Sequence, residues 1–215
     1  MSRRLTPTAA ARELAAREPV IAELVRLAGP PQLRPPQDTH FEALVRAIVY
    51  QQLAGRAAAA IHGRLVAALG DEVTPSRMLA LSDEVLRAAG LSAAKARSVR
   101  DLAAKVEDGT VVLDPRGLGR ESDDEIVARL STVRGVGRWT AEMFLIFQLR
   151  RLDVWPTGDL GVRRGYGLAW KIPTPTAKEL EELGEPLHPY RTIAAWYCWR
   201  AVEVYAGAAE SALTR

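Results

Sequence analysis

Two short stretches of this 215-residue chain hold residues that could do chemistry. The first is a turn, Pro156-Thr157-Gly158-Asp159. A carboxylate just ahead of a helix caps it, accepting amide hydrogens from the next turn. Those amides also favour the ionised form. A fixed anion can do more than cap. It stabilises a cation that forms beside it, and it can orient or deprotonate a water. On spacing alone the cap reading of Asp159 wins, since caps are common and catalytic acids rare, but the two roles are compatible. Asp153 is the nearest competing carboxylate, but its place before Val154-Trp155 reads as the end of a loop.

The second stretch is Val133-Arg134-Gly135-Val136-Gly137, ahead of an apolar helix that begins near Arg138. Two glycines two residues apart open dihedrals closed to other residues. They also leave amides uncovered, and the N-terminus of the following helix attracts phosphate. Residues 131–171 carry seven basic side chains against three acidic ones, a local net charge of +4 in a chain whose total is +3. Positive charge gathered on one stretch fits a surface that meets a phosphate backbone.

The elements that must position these residues read as helices. Pro7 to Leu27 reads as one helix, followed by a break at Gly29-Pro30-Pro31 and an extended linker at Pro35-Pro36. Thr39 with Glu42, Ser122 with Glu125, and Thr176 with Glu179 have capping-box spacing. Phe41, Leu44, Val45, Ile48 and Val49 form a 3.6-period stripe that ends at Tyr50-Gln51-Gln52-Leu53. Further helices are expected over Ala57–Leu69, from Thr74 and Ser82, from Ser92 to Val106, from Asp159 to Trp170, and from Pro189 to Tyr205. Residues 138–150 are apolar almost all round, which predicts a central, buried helix. Only Val111-Val112-Leu113 looks strand-like, so the expected fold class is all-α with roughly ten short helices.

Composition sets limits. At 48% hydrophobic and 26% charged residues this is an ordinary globular chain. No apolar run approaches the roughly 20 residues that span a bilayer, so no membrane partner is expected. Met1-Ser2-Arg3-Arg4 is basic but has no long apolar stretch behind it, unlike a secretory signal. The single cysteine, Cys198, cannot form an intrachain disulfide or a four-cysteine iron–sulfur cluster, and it fits a reducing, cytoplasmic compartment. Three scattered histidines lack zinc-ligand spacing, and no Walker loop, His-Glu-x-x-His or complete dinucleotide fingerprint occurs.

The run from Leu130 to Ala141 resembles the helix–hairpin–helix of DNA glycosylases, and Gly158-Asp159-Leu160-Gly161-Val162-Arg163 resembles the turn that carries their catalytic aspartate. Within that superfamily the chain is most similar to 3-methyladenine DNA glycosylase II, more weakly from about Phe41 to Trp199. The resemblance implies two small helical subdomains around a cleft, and no N-terminal β domain, because the linker arrives too early to leave room for one. It implies an N-terminal segment, 1–37, packed with the C-terminal helices; a central domain, 38–150, with the hairpin at about 123–150; and a catalytic and C-terminal region, 151–215.

The resemblance places the catalytic aspartate at Asp159, where it would stabilise the cationic sugar formed as an N-glycosidic bond breaks. Related glycosylases with lyase activity have a nucleophilic lysine two residues after the second hairpin glycine. Here Trp139 stands there, so no Schiff base forms and simple hydrolysis to an abasic site is implied. An indole face also stacks on a flipped base and favours a cationic one. Met143, one turn on, could face the same base. Tyr50, Trp196, Tyr197 and Trp199 could be pocket walls or helix-packing residues, and Trp199 matches a pocket tryptophan of the family. The residue inserted into DNA would be Gln52 or Leu53. Amides of Gly135, Gly137 and Trp139 would bind a phosphate, with Arg134, Arg138 and Arg163 nearby. A Na or K ion would sit on main-chain carbonyls of Ser131, Val133 and Val136.

The function implied is a monofunctional glycosylase for alkylated purines in base excision repair. It would act on damaged double-stranded DNA as a monomer, without a catalytic cofactor, and associate with the nucleoid if bacterial. A glycosylase for uracil or hypoxanthine and a non-catalytic helix–hairpin–helix DNA-binding module stay open as alternatives. A binding module would need neither Asp159 nor Trp139.

Overall fold

The computed structural model describes residues 5–213, with side chains described as far as Tyr205; the basic tetrapeptide at 1–4 lies outside the described residues. Among the described residues every regular element is helical, and no strand occurs. In chain order the helices are α1 (Pro7–Ala15), α2 (Pro19–Ala28), α3 (His40–Tyr50), α4 (Gly55–Ala68), α5 (Pro75–Ala80), α6 (Asp83–Ala88), α7 (Ala93–Glu107), α8 (Pro115–Leu118) and α9 (Asp123–Leu130). There follow α10 (Arg138–Met143), which runs into a π-helical turn (Phe144–Gln148), then α11 (Leu160–Trp170), α12 (Ala177–Leu183), a 3-10 turn (Glu185–Leu187) and α13 (Arg191–Leu213).

The chain divides into two compact units. One spans residues 36–144; the other joins residues up to 35 with those from 145 onward. In the first, α3 packs on α4 and α7, and α5 and α6 pack on α7. Leu44, Val45, Ile48, Leu65, Met78, Leu86, Val99 and Leu102 are fully buried there. Each such side chain contributes roughly 1.5–3 kcal/mol by leaving water. In the second unit, α13 packs on α11, α2 and α1. Tyr197 is fully buried and donates its hydroxyl to the Gly29 carbonyl at 3.0 Å. Tyr190 bonds Glu13, and the Arg17 guanidinium bonds the His188 carbonyl. These contacts tie the N-terminal helices to residues about 170 positions later.

Local signals fixed most boundaries. The capping boxes at Thr39, Ser122 and Thr176 all form, with both reciprocal hydrogen bonds present. Residues 111–113, strand-like in pattern but too few for a sheet, form an irregular segment before α8, with Val111 buried and Val112 exposed. Three expectations need correcting. Pro7 to Leu27 is two helices, because Pro19 takes the first position of α2 and Glu18 caps it through the Val20 amide at 3.2 Å. Pro189 precedes the last helix in a cis linkage, and α13 starts at Arg191. The apolar 138–150 stretch is not one regular buried helix. It widens into the π turn and stops where Arg150 turns left-handed at φ 59°, and Trp139 (46%) and Phe147 (47%) stay exposed.

Candidate active site

In the unit spanning 36–144, α9 and α10 are joined by the glycine hairpin. The turn closes on itself through the Val136 amide and the Val133 carbonyl, 3.0 Å apart. Gly135 sits at φ 75°, and a Cβ there would lie 2.7 Å from Ser98 Oγ of α7, so both dihedral and space require glycine. Gly137 is different. Its φ is ordinary at −97°, and a Cβ would meet nothing within 4 Å. It caps α10 without a side-chain hydrogen bond, which keeps the approach to the first amides open.

The hairpin is braced from α7. Asp101 accepts the Arg134 amide at 2.7 Å and the Lys105 ammonium at 2.7 Å, and Lys105 also donates to the Thr132 carbonyl at 2.7 Å. Burial pushes the Asp101 carboxyl up, but Lys105 and the Arg134 amide outweigh it and hold its pKa below the usual value. Arg134 and Arg138 are exposed; Arg138 donates to Glu142 at 3.1 Å and lies 3.4 Å from Asp124. Trp139 is largely exposed at the head of α10, and Met143 is half-buried one turn on. At the end of α3, Tyr50 packs edge-on against His62, and Gln52 and Leu53 are exposed.

In the other unit, Asp159 is the N-cap of α11. Its Oδ1 accepts the Val162 amide at 2.8 Å and the Trp199 indole N–H at 3.0 Å. The tryptophan comes from α13, forty residues away. Two glycines bring it there. At Gly165 a Cβ would lie 1.8 Å from the Cys198 carbonyl, so only glycine lets α11 and α13 touch at backbone distance. At Gly161 a Cβ would lie 2.9 Å from Trp199 Cδ1 and 3.0 Å from Asp159 Oδ1. Phe147 stacks on Trp199, centroids 5.9 Å apart and planes at 23°. Burial, with the Asp159 charge nearby, pushes the Cys198 thiol well above the ordinary thiol range, so it stays protonated.

Other expected site residues have different surroundings. Asp153 makes a bidentate pair with Arg191 (2.9 and 3.0 Å) and lies 2.7 Å from His188 Nδ1, which makes it a pin between loop and α13. Tyr197 is core. Trp196 is half-buried, edge-on to Tyr197 and beneath Arg200. Arg163 is half-buried and donates to the Pro175 carbonyl at 3.4 Å, whereas Arg164 is exposed. Sequence reasoning assigned no role to Phe147, Gly161, Gly165, Lys95 or Gln51. The four-residue spacing of Gly161 and Gly165 within a helix was the one available sign of a close helix contact.

One unit holds a capped aspartate at a helix head, and the other a glycine hairpin between two helices. Residues 45–189 match the model of the HhH-GPD superfamily of base excision DNA repair proteins, and the chain belongs to that family. It is 38% identical over 163 residues to DNA-3-methyladenine glycosylase 1 of Schizosaccharomyces pombe, covering 74% of this chain and 71% of the relative. A solved S. pombe 3-methyladenine DNA glycosylase in complex with abasic DNA is similar at TM-score 0.78 and 35% identity, over 90% of this chain and 96% of that one. A DNA-3-methyladenine glycosidase from Bacillus halodurans is similar at TM-score 0.83 and 34% identity, over 92% and 91%.

Proposed function

We propose that this chain is a monofunctional DNA glycosylase that flips alkylated purines out of duplex DNA and hydrolyses their N-glycosidic bond, leaving an abasic site for base excision repair. The observation that carries the reading is Asp159, held at the head of α11 by the Val162 amide and the Trp199 indole N–H. A carboxylate fixed by two donors does not have to reorganise when a sugar turns cationic beside it. It can also orient or deprotonate the water that completes hydrolysis. Alkylated purines such as 3-methyladenine carry positive charge and leave readily, so no general acid is required. Trp139 supplies an exposed indole face that attracts a cationic base, with Met143 and Tyr50 as further candidates in its own unit; Trp199, on Asp159, and Trp196 are the candidates of the other unit.

A lyase needs a free lysine amine. The chain has four lysines. Lys95 and Lys105 are each bonded to main-chain carbonyls, and Trp139 holds the lyase position. Hydrolysis of this type needs no catalytic cofactor. The hairpin amides bind a DNA phosphate, with Arg134 and Arg138 beside them. Carbonyls of Ser131, Val133 and Val136 suit a monovalent cation; that of Val133 accepts one hydrogen bond and keeps a second lone pair. Such an ion would add positive charge where the phosphate docks. One thiol supplies too few ligands for an iron–sulfur cluster. No described helix is long and apolar enough to cross a membrane, and the expected workplace is the cytoplasm, on DNA.

The test is base release from methylated DNA compared with uracil-containing DNA. Release of methylated purines alone supports the reading, release of uracil shifts the specificity, and release of neither overturns it.

A further inference from the structure

Two loops of the 36–144 unit would touch DNA under the function proposed above: the glycine hairpin, and the turn at the end of α3 that carries Gln52 and Leu53. One side chain joins them. The Gln51 side-chain amide donates to the Gly135 carbonyl at 3.0 Å and to Thr140 Oγ1 at 3.2 Å. The carbonyl accepts only, so it fixes which end of the amide faces the hairpin. Both amide hydrogens are used, one on the turn and one on the first turn of α10. Thr140 is buried.

The same turn is held from below. The Lys95 ammonium donates to the Val49 and Gln51 carbonyls, each at 2.7 Å. Those carbonyls end α3, where a helix has unpaired acceptors and a negative dipole end. Desolvation lowers the Lys95 pKa, yet three donors on one charged group still satisfy both acceptors. Between these two pins Gln52 takes a left-handed backbone at φ 56°. A non-glycine residue holds that region only when its surroundings over-determine it, and such residues cluster at functional sites. The pins raise Gln52 and Leu53 outward, both exposed.

We propose that Gln51 is a positioning residue: it locks the base-displacing turn to the phosphate-gripping hairpin, so that force from the phosphate contact is delivered to the stack. Gln51 touches neither base nor sugar. It acts through Gln52 and Leu53, and it matters most when a paired base must be displaced. This rests on the glycosylase reading.

The experiment uses the full chain and 7-methylguanine in two duplexes, one opposite cytosine and one opposite a tetrahydrofuran abasic analogue, where nothing pairs with it. Gln51→Met keeps length and loses both donors. Single-turnover release should fall about tenfold from the paired duplex, as for loss of a paired polar contact, and stay within about twofold from the unpaired one. Thr140→Val removes one acceptor from the other side and should show a smaller loss of the same pattern, with no added loss in the double variant. A parallel arm reads 2-aminopurine fluorescence beside an abasic analogue, which reports stack disruption without chemistry; the wild type should brighten it and Gln51→Met should brighten it less. Equal loss on both duplexes, or none on either, would overturn the proposal. Where the wild type releases no 7-methylguanine but brightens the probe, the fluorescence arm decides: equal brightening by Gln51→Met overturns the lock, weaker brightening upholds it; release of no base from methylated or uracil-containing DNA would sink the glycosylase reading instead.

Discussion

Gly161→Ala separates fold from chemistry within one helix turn. The added Cβ would lie 2.9 Å from Trp199 Cδ1, 3.2 Å from its Nε1 and 3.0 Å from Asp159 Oδ1. The indole must shift, and its 3.0 Å bond to Asp159 is the contact it loses first. Phe147, stacked on the indole, limits where it can go. A hydrogen bond to a charged group contributes about 1.5–3 kcal/mol, so losing it from the reacting geometry should cost roughly 10- to 100-fold in excision. Stability should move little. Alanine gains at most about 0.5–1 kcal/mol over glycine at this first-turn position, which offsets part of the crowding. The assay is single-turnover release of methylated purine, with urea denaturation of the same preparation. Gly158→Ala is the control, since a Cβ there meets nothing within 4 Å. Excision by Gly161→Ala equal to that of Gly158→Ala would refute the claim that Trp199 holds the carboxylate in its working position.

Base release should leave the strand intact until alkali is added, because Trp139 supplies no amine; strand breaks without alkali, with a borohydride-trapped complex, would contradict this. DNA affinity should fall steeply with salt, the logarithmic slope being about −0.9 per phosphate contacted, and a flat dependence would exclude electrostatic docking of the +4 stretch. Gly135→Ala should destabilise the fold and weaken DNA binding together, through its φ of 75° and the 2.7 Å approach to Ser98 Oγ, whereas Gly137→Ala, at an ordinary φ and in open space, should cost only a cap's worth, about 1 kcal/mol or less; equal melting of the two would be the wrong outcome.

The sequence carried what is local. Thr39, Ser122 and Thr176 announced their helices because a cap and its partner lie three residues apart. Asp159 was legible as a cap for the same reason, and the glycine hairpin through its dihedral demand. What depends on distant partners was not legible. Trp199 reaches Asp159 from forty positions away, and only the close approach at Gly165 makes that possible. Gln51 finds Gly135 eighty-four positions on, and no periodicity encodes such a pair. The apolar run after Arg138 misled in a different way. Burial was inferred from composition, yet Phe147, in the π turn, is exposed and stacked on Trp199.

Asp159→Asn tests the central claim most directly. The asparagine carbonyl can still accept the Val162 amide and the Trp199 indole N–H, so cap and fold are kept while the charge is removed. An interaction made only in the transition state lowers turnover and not ground-state binding. Single-turnover excision should fall by about 3 kcal/mol or more of transition-state stabilisation, over a hundredfold. Affinity for abasic DNA should hold or tighten, and the melting temperature should barely change. Near-normal excision in a destabilised protein would mean that Asp159 is only a helix cap and that the chemistry lies elsewhere.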